Sequence, residues 1–171
     1  MDRFTKAQQF VAKWEGDLSN DKYDAGGITK YGVCLRFLQE IQPDATADTV
    51  KNLTKEQASE IFKQNFWVKA KCEELPEPIG FILYDTVVNT GIAQGVKFLQ
   101  RALGIEADGK IGKNTIAKAN DCNVKNVVES FLTQREEFYN KIVAKKPTQK
   151  CFLKGWLNRV ADLRKEVNKL L

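Results

Sequence analysis

The sequence predicts an all-α protein with at most one small irregular hairpin after its first helix. Three observations predict it. Apolar residues recur at spacings of three and four from Phe4 to Leu170. No convincing run of alternating apolar and polar residues appears. A single stretch, residues 16–30, breaks the helical rhythm with polar and turn-forming residues. A chain of 171 residues with 43% hydrophobic content has enough apolar side chains for a core without disulfide staples.

The elements follow in order. Phe4, Ala7, Val11 and Trp14 place one apolar face on a helix over 3–15, with Asp2 as N-cap and Gly16 after its end. Residues 16–30 read as a long loop or a small hairpin. Residues 32–41 read as helix again, ended by Pro43. Thr54-Lys55-Glu56-Gln57 has the form of a capping box, and the helix behind it carries Ala58, Ile61, Phe62 and Phe66 on one side. Pro76 and Pro78 mark the next start, with Ile79, Ile82, Leu83 and Val87 on the buried face. Ile92, Val96, Leu99 and Leu103 make a further stripe, stopped by Gly104. Asp108-Gly109 signals a turn. A long helix is expected over about 124–144, and Pro147 separates it from a last one carrying Trp156, Val160, Leu163, Val167 and Leu170.

Composition excludes several chemistries. There is no histidine, which removes Ser-His and Cys-His pairs and the commonest zinc ligand. Acid–base work near neutral pH must then fall to carboxylates, lysine, tyrosine or cysteine. Cys34, Cys72, Cys122 and Cys151 are scattered with no CxxC pair, so free buried thiols are expected rather than a zinc site; a disulfide formed after export is the remaining option. No cofactor or metal is implied. The net charge of +5 suits an anionic partner such as cell wall, nucleic acid or a membrane surface, although it is also ordinary for a soluble protein. The lysines form no stripe interleaved with aromatics, so a nucleic-acid binder is disfavoured. The N-terminus lacks the apolar core of a signal peptide, and no apolar run approaches a membrane span. The protein is therefore expected to be made in the cytoplasm, to insert stably in no membrane, and to need another protein for release to any outside target.

Glu15 draws attention by its position. It ends the first helix, where the dipole disfavours a carboxylate, and it follows Trp14, an apolar neighbour. Both influences push toward the protonated form that a general acid needs. Asp24 lies nine residues further on, and Thr29 five after that. A glycine-rich loop between two carboxylates can fold the second across a cleft from the first. Glycosidic cleavage uses such a pair, one protonating the leaving oxygen and one directing water, roughly 6.5–9.5 Å apart when water attacks directly. Asp17 and Asp21 remain open as the second carboxylate. Gly26 and Gly27 permit close backbone approach. Thr29 is suited to hold water or a sugar hydroxyl, with Lys30 and Tyr31 on the same wall.

The segment from Trp14-Glu15-Gly16 through Asp24-Ala25-Gly26-Gly27-Ile28-Thr29-Lys30-Tyr31 to Val33 resembles the signature of glycoside hydrolase family 108. These are N-acetylmuramidases of phage endolysins and of bacterial proteins described as secretion activators. The Glu, Asp, Thr order is also similar to the triad of phage-type lysozymes, with the last gap one residue shorter. Asn65-Phe66-Trp67, Asp85-Thr86-Val87-Val88-Asn89-Thr90-Gly91, Leu99-Gln100-Arg101-Ala102-Leu103-Gly104, Asp108-Gly109-Lys110-Ile111-Gly112, Arg135, Tyr139 and Gly155-Trp156-Leu157-Asn158-Arg159-Val160 extend the resemblance nearly end to end. Two departures stand out. Glu15-Gly16-Asp17-Leu18 replaces the family's usual Glu-Gly-Gly-Tyr, and Asp24-Ala25 replaces Asp-Pro.

The resemblance implies a lysozyme-like helical fold, with residues 1–91 as a catalytic half and 92–171 as a peptidoglycan-binding-like half packed into one unit. It implies hydrolysis of the β-1,4 bond between N-acetylmuramic acid and N-acetylglucosamine in bacterial peptidoglycan, by a monomer released by a holin or another export factor. It implies Glu15 as the acid, with Asp24 holding water or ordering its loop and Thr29 beside them. Tyr31, Trp67, Asp85 and Asn89 are the expected substrate contacts, with Asn89 facing an acetamido sugar. Trp67 has an equal reading as a core aromatic, Asp85 and Asn89 as a capping pair, and Trp156 as core packing. Arg135 and Arg159 read as structural ion-pair partners or as contacts to acidic peptide stems. Two other functions stay open: a non-catalytic wall-binding or secretion-associated module, and a lytic transglycosylase that needs one carboxylate.

Overall fold

The structure, a computed structural model, describes residues 1–15, 18–19 and 27–171, with backbone alone for 18–19. Helix α1 runs Arg3–Glu15, the span its apolar rhythm predicts, and Asp2 caps it by accepting from the Thr5 N–H at 2.8 Å. Strands β1 (Leu18–Ser19), β2 (Thr29–Lys30) and β3 (Val33–Cys34) form an antiparallel sheet in sequence order. Ser19 pairs with Thr29, and Thr29 with Cys34. The reading of 32–41 as helix is corrected here. Residues 33–34 pair with β2, and helix α2 begins only at Leu35 (Leu35–Ile41), where the Cys34 sulfur accepts from the Phe37 N–H.

Two short helices follow, α3 (Ala47–Lys51) and α4 (Lys55–Phe62). Both start with capping boxes, from Thr46 and Thr49 and from Thr54 and Gln57. A π-helical turn, Lys63–Val68, continues α4 and carries Trp67 inward. Helix α5 (Glu77–Thr90) is the axis of the molecule. Its residues 78–87 are all buried, polar Asp85 and Thr86 included, so it is surrounded rather than amphipathic.

Helices α6 (Ile92–Ala102), α8 (Val124–Lys145) and α9 (Lys150–Asn168) pack against α5, and the short α7 (Lys113–Asn120) connects α6 to α8. Gly95 of α6 meets Val87 so closely that a Cβ would lie 2.6 Å from its Cγ1, which explains glycine inside a helix. Gly104, at φ +70, ends α6 with the Ile105 N–H returning to the Gln100 carbonyl at 3.0 Å. The Asp108-Gly109 turn is locked by buried Gln100, which donates to Asp108 at 2.7 Å and accepts from the Gly109 N–H at 2.9 Å. This turn is structural.

The core is continuous across both halves of the chain, from Phe4 and Val11 through Ile82 and Leu83 to Phe131, Leu163 and Val167. The four thiols stand unpaired. Cys72 fits the expectation of a buried thiol, with burial pushing it up, whereas Cys151 is exposed. No described helix is long and apolar enough to cross a membrane.

Candidate active site

The site grows from the way α1 is pinned to α9. Apolar contacts seat Phe4, Ala7, Phe10 and Val11 of α1 on the core. At its C-terminal end, Trp14 Nε1 and Lys13 Nζ both donate to Asp162 Oδ2 of α9, at 3.0 and 2.7 Å. Lys13 leads the causes that hold the Asp162 carboxyl below the usual carboxylate range. Arg159 lies one turn before Asp162 on the same helix, so it meets the next residue of α1, Glu15. Arg159 Nη1 donates to Glu15 Oε1 at 2.8 Å.

Behind this pair lies a buried network. Arg159 Nε and Nη2 donate to Asp85 Oδ1 at 2.9 and 2.7 Å. The other carboxylate oxygen of Asp85 accepts from Arg135 Nη1 at 2.6 Å. Arg135 also donates to the Thr86 hydroxyl at 3.0 Å and to the Tyr139 hydroxyl at 3.0 Å. Burial alone pushes the Asp85 carboxyl up, but the guanidiniums of Arg135 and Arg159 outweigh it and hold the group below its ordinary range. Burial pulls Arg159 down, and Asp85 and Glu15 together more than reverse this.

The network also orients Asn89. The Arg135 Nε–H can only donate, so the Tyr139 oxygen must accept it and give its single proton elsewhere. Tyr139 gives it to Asn89 Oδ1. The Asn89 amide therefore presents its NH2 on the side away from Tyr139, and Asn89 is exposed.

These groups border a pocket of about 370 Å³. Trp14, Glu15 and Asn89 line it together with Phe152, Trp156 and Arg159 of α9. The three α9 residues recur at four and three, so they share one helical face. Trp156 stacks on Tyr139 at 5.1 Å and on Phe152 at 5.9 Å. Trp156 is thus half-buried packing on one side and pocket wall on the other, rather than core alone. Gly32, at φ +81, lies so close that a Cβ would sit 3.1 Å from Glu15 Cβ and 3.0 Å from Phe62 Cζ.

The expected site residues distribute unevenly. Glu15 and Asn89 line the pocket. Asp24 lies outside the described residues, as do Asp17, Asp21 and Gly26. Thr29 sits in the middle strand, its hydroxyl donating to the Gly27 carbonyl at 3.5 Å. Tyr31, at φ 50, lines a different cavity of about 250 Å³ between α1 and α4, with the ammonium groups of Lys30 and Lys55 near its ring. Two expected contacts are corrected. Trp67 is 3% exposed, packed edge-on against Phe4 and Tyr84 with its N–H on Glu73, so it is a core aromatic. Asp85 is fully buried between two arginines, so no sugar reaches it. Sequence reasoning missed Phe152 as a pocket residue; its spacing of four and seven before Trp156 and Arg159 was the available signal. Among the described residues, no group of three His, Cys, Asp or Glu side chains is placed to hold a metal.

A single exposed-edge carboxylate, anchored by one oxygen and flanked by aromatic rings, suits proton transfer to a bound sugar. Residues 8–91 match the family model for glycosyl hydrolase 108, and residues 94–161 match the model described as predicted peptidoglycan domain. No curated relative matches the chain. The solved structure of Brucella abortus SagA is similar over 98% of this chain and 94% of its own, with a TM-score of 0.86 and 28% identity. With these two matches in this order and its helical fold shared with SagA, the chain carries a glycosyl hydrolase 108 domain followed by a predicted peptidoglycan domain, a pairing that supports a peptidoglycan hydrolase at the level of the family.

Proposed function

We propose that the chain is an N-acetylmuramidase, hydrolysing the β-1,4 bond between N-acetylmuramic acid and N-acetylglucosamine. The observation that carries this is that Glu15 lines one pocket together with Asn89 and the aromatic rings of Phe152 and Trp156. Arg159 occupies Oε1, which leaves Oε2 as the oxygen for proton transfer. In its acid form Glu15 gives a proton to the glycosidic oxygen, the C1–O bond breaks, and water adds to C1. The water's own proton passes to a second carboxylate, for which Asp24 is the candidate from the sequence, with Thr29 as a candidate to hold the water. Aromatic rings stack on the apolar face of a pyranose, and the Asn89 NH2 suits the carbonyl of an acetamido group.

Glu15→Gln tests the acid. It keeps an oxygen for Arg159 and removes the proton donor. Release of new reducing ends from purified sacculi should fall by about 10²–10⁴-fold. Full activity in this variant would overturn the assignment. A second reading has its own support, since Glu15 is the one carboxylate lining the pocket among the described residues. A lytic transglycosylase needs no more than that. Mass spectrometry of the products separates them: reducing muramic ends for hydrolysis, 1,6-anhydro ends for transglycosylation.

A further inference from the structure

A second cavity, of about 570 Å³, lies between α6 and α8 in the half matched to the peptidoglycan domain. We infer that it holds a peptide stem of the peptidoglycan whose glycan strand occupies the Glu15 pocket; the inference rests on the peptidoglycan reading of that pocket.

Its lining comes from single faces of two helices. Gln94, Phe98 and Arg101 recur at four and three along α6. Ser130, Gln134, Glu137 and Lys141 recur at four, three and four along α8. The floor is apolar, with Phe98 edge-on against Phe138 at 5.5 Å. The rim carries two cations and one anion. Arg101, Lys141 and Glu137 make no ion pair among the described residues, unlike Arg164, which holds both Glu129 and Glu136 nearby on α8.

One polar atom is buried here without a partner. Gln134 Nε2 donates to the Phe98 carbonyl at 3.2 Å, and Gln134 Oε1 is buried and makes no hydrogen bond.

A stem peptide fits this lining by charge. It leaves the lactyl ether of muramic acid and carries free carboxylates, which suit Arg101 and Lys141. In stems with a diamino acid it also carries an ammonium, which suits Glu137. Phe138 lines this cavity, while the next residue, Tyr139, turns to the other face of α8, where it stacks on Trp156 and holds Asn89.

The test compares the full chain with Arg101→Glu/Lys141→Glu, both at exposed positions. A control, Lys118→Glu/Lys125→Glu, makes the same charge change on exposed residues outside the cavity. The probe is muramyl-tetrapeptide with a meso-diaminopimelate stem, its binding followed by calorimetry. Reversal at the cavity should weaken binding about tenfold or more, and the control should not. On intact sacculi kcat/KM should fall by a similar factor, but not on strands stripped of peptide by an amidase. Equal losses in both double variants would reduce the effect to general attraction and overturn the inference, as would no loss in either. Equal losses on intact and stripped strands would also overturn it. If the wild type cleaves neither substrate, the muramidase reading fails, and the calorimetry alone still decides the stem site.

Discussion

Glu15 and Asp85 are two carboxylates held by the same guanidinium, yet they sit in different worlds. Asp85 is fully buried and has both oxygens committed, one to Arg159 and one to Arg135. Glu15 keeps 26% of its side chain exposed and has one oxygen committed. Asp85 organises charge for the fold, and Glu15 spends its remaining oxygen at a pocket. The difference teaches that a carboxylate's role here follows from its solvation and from how many of its lone pairs are taken, not from its place in a motif.

The largest effect that would break this comparison is on stability. Asp85→Ala leaves two arginines without their shared anion, and should destabilise the fold by about 3–5 kcal/mol. Urea unfolding followed by tryptophan fluorescence measures it, and a loss under 1 kcal/mol would show that the network does not anchor α5 to α8 and α9. Glu15→Gln should sit at the other extreme. It weakens one partly exposed ion pair, and the same unfolding curve should move by less than about 1 kcal/mol. If Glu15→Gln proved as damaging as Asp85→Ala, the contrast between a structural and a site carboxylate would fail.

Gly32→Ala probes the border between the two. The added Cβ strains a left-handed backbone and presses on Glu15, so we expect a loss of about 1–2 kcal/mol with an activity loss larger than stability explains. A variant with wild-type turnover per folded molecule would mean that Glu15 tolerates displacement. The smallest effect is in pH. The folded Asp85 carboxyl titrates below its unfolded value of about 3.9. Its contribution is therefore present above that value and lost as pH falls through the lower folded one. Stability should decline below about pH 4 in the wild type and more gently in Asp85→Asn; parallel curves would remove Asp85 from the acid response.

Local patterns were legible in proportion to how little they depended on distant chain. The bounds of α1, the Thr54 capping box and the stop at Gly104 each rest on residues within one turn of one another, and each was readable. The helix expected at 32 was not, because Val33 and Cys34 owe their extended form to pairing with Thr29 and Lys30. Glu15 stood out from its helix end and its neighbouring motif. Its partner Arg159 is 144 residues away, and nothing in the last helix announces which side of it will meet α1. Trp67 had two equal readings, since an exposed stacking ring and a buried one look alike in sequence, and the π-helical turn that carries it inward decides for the core.

What the sequence by itself determined was the helical class, the order of elements and the presence of a carboxylate where a helix gives way to a polar loop. These follow from periodicity, caps and turn residues, all short-range properties of the chain. Only tertiary structure decided which carboxylate is buried, how Tyr139 turns the Asn89 amide, and that one face of α9 completes the pocket. Those outcomes depend on desolvation and on hydrogen-bond geometry between segments far apart in sequence, and such quantities do not exist until the helices have packed.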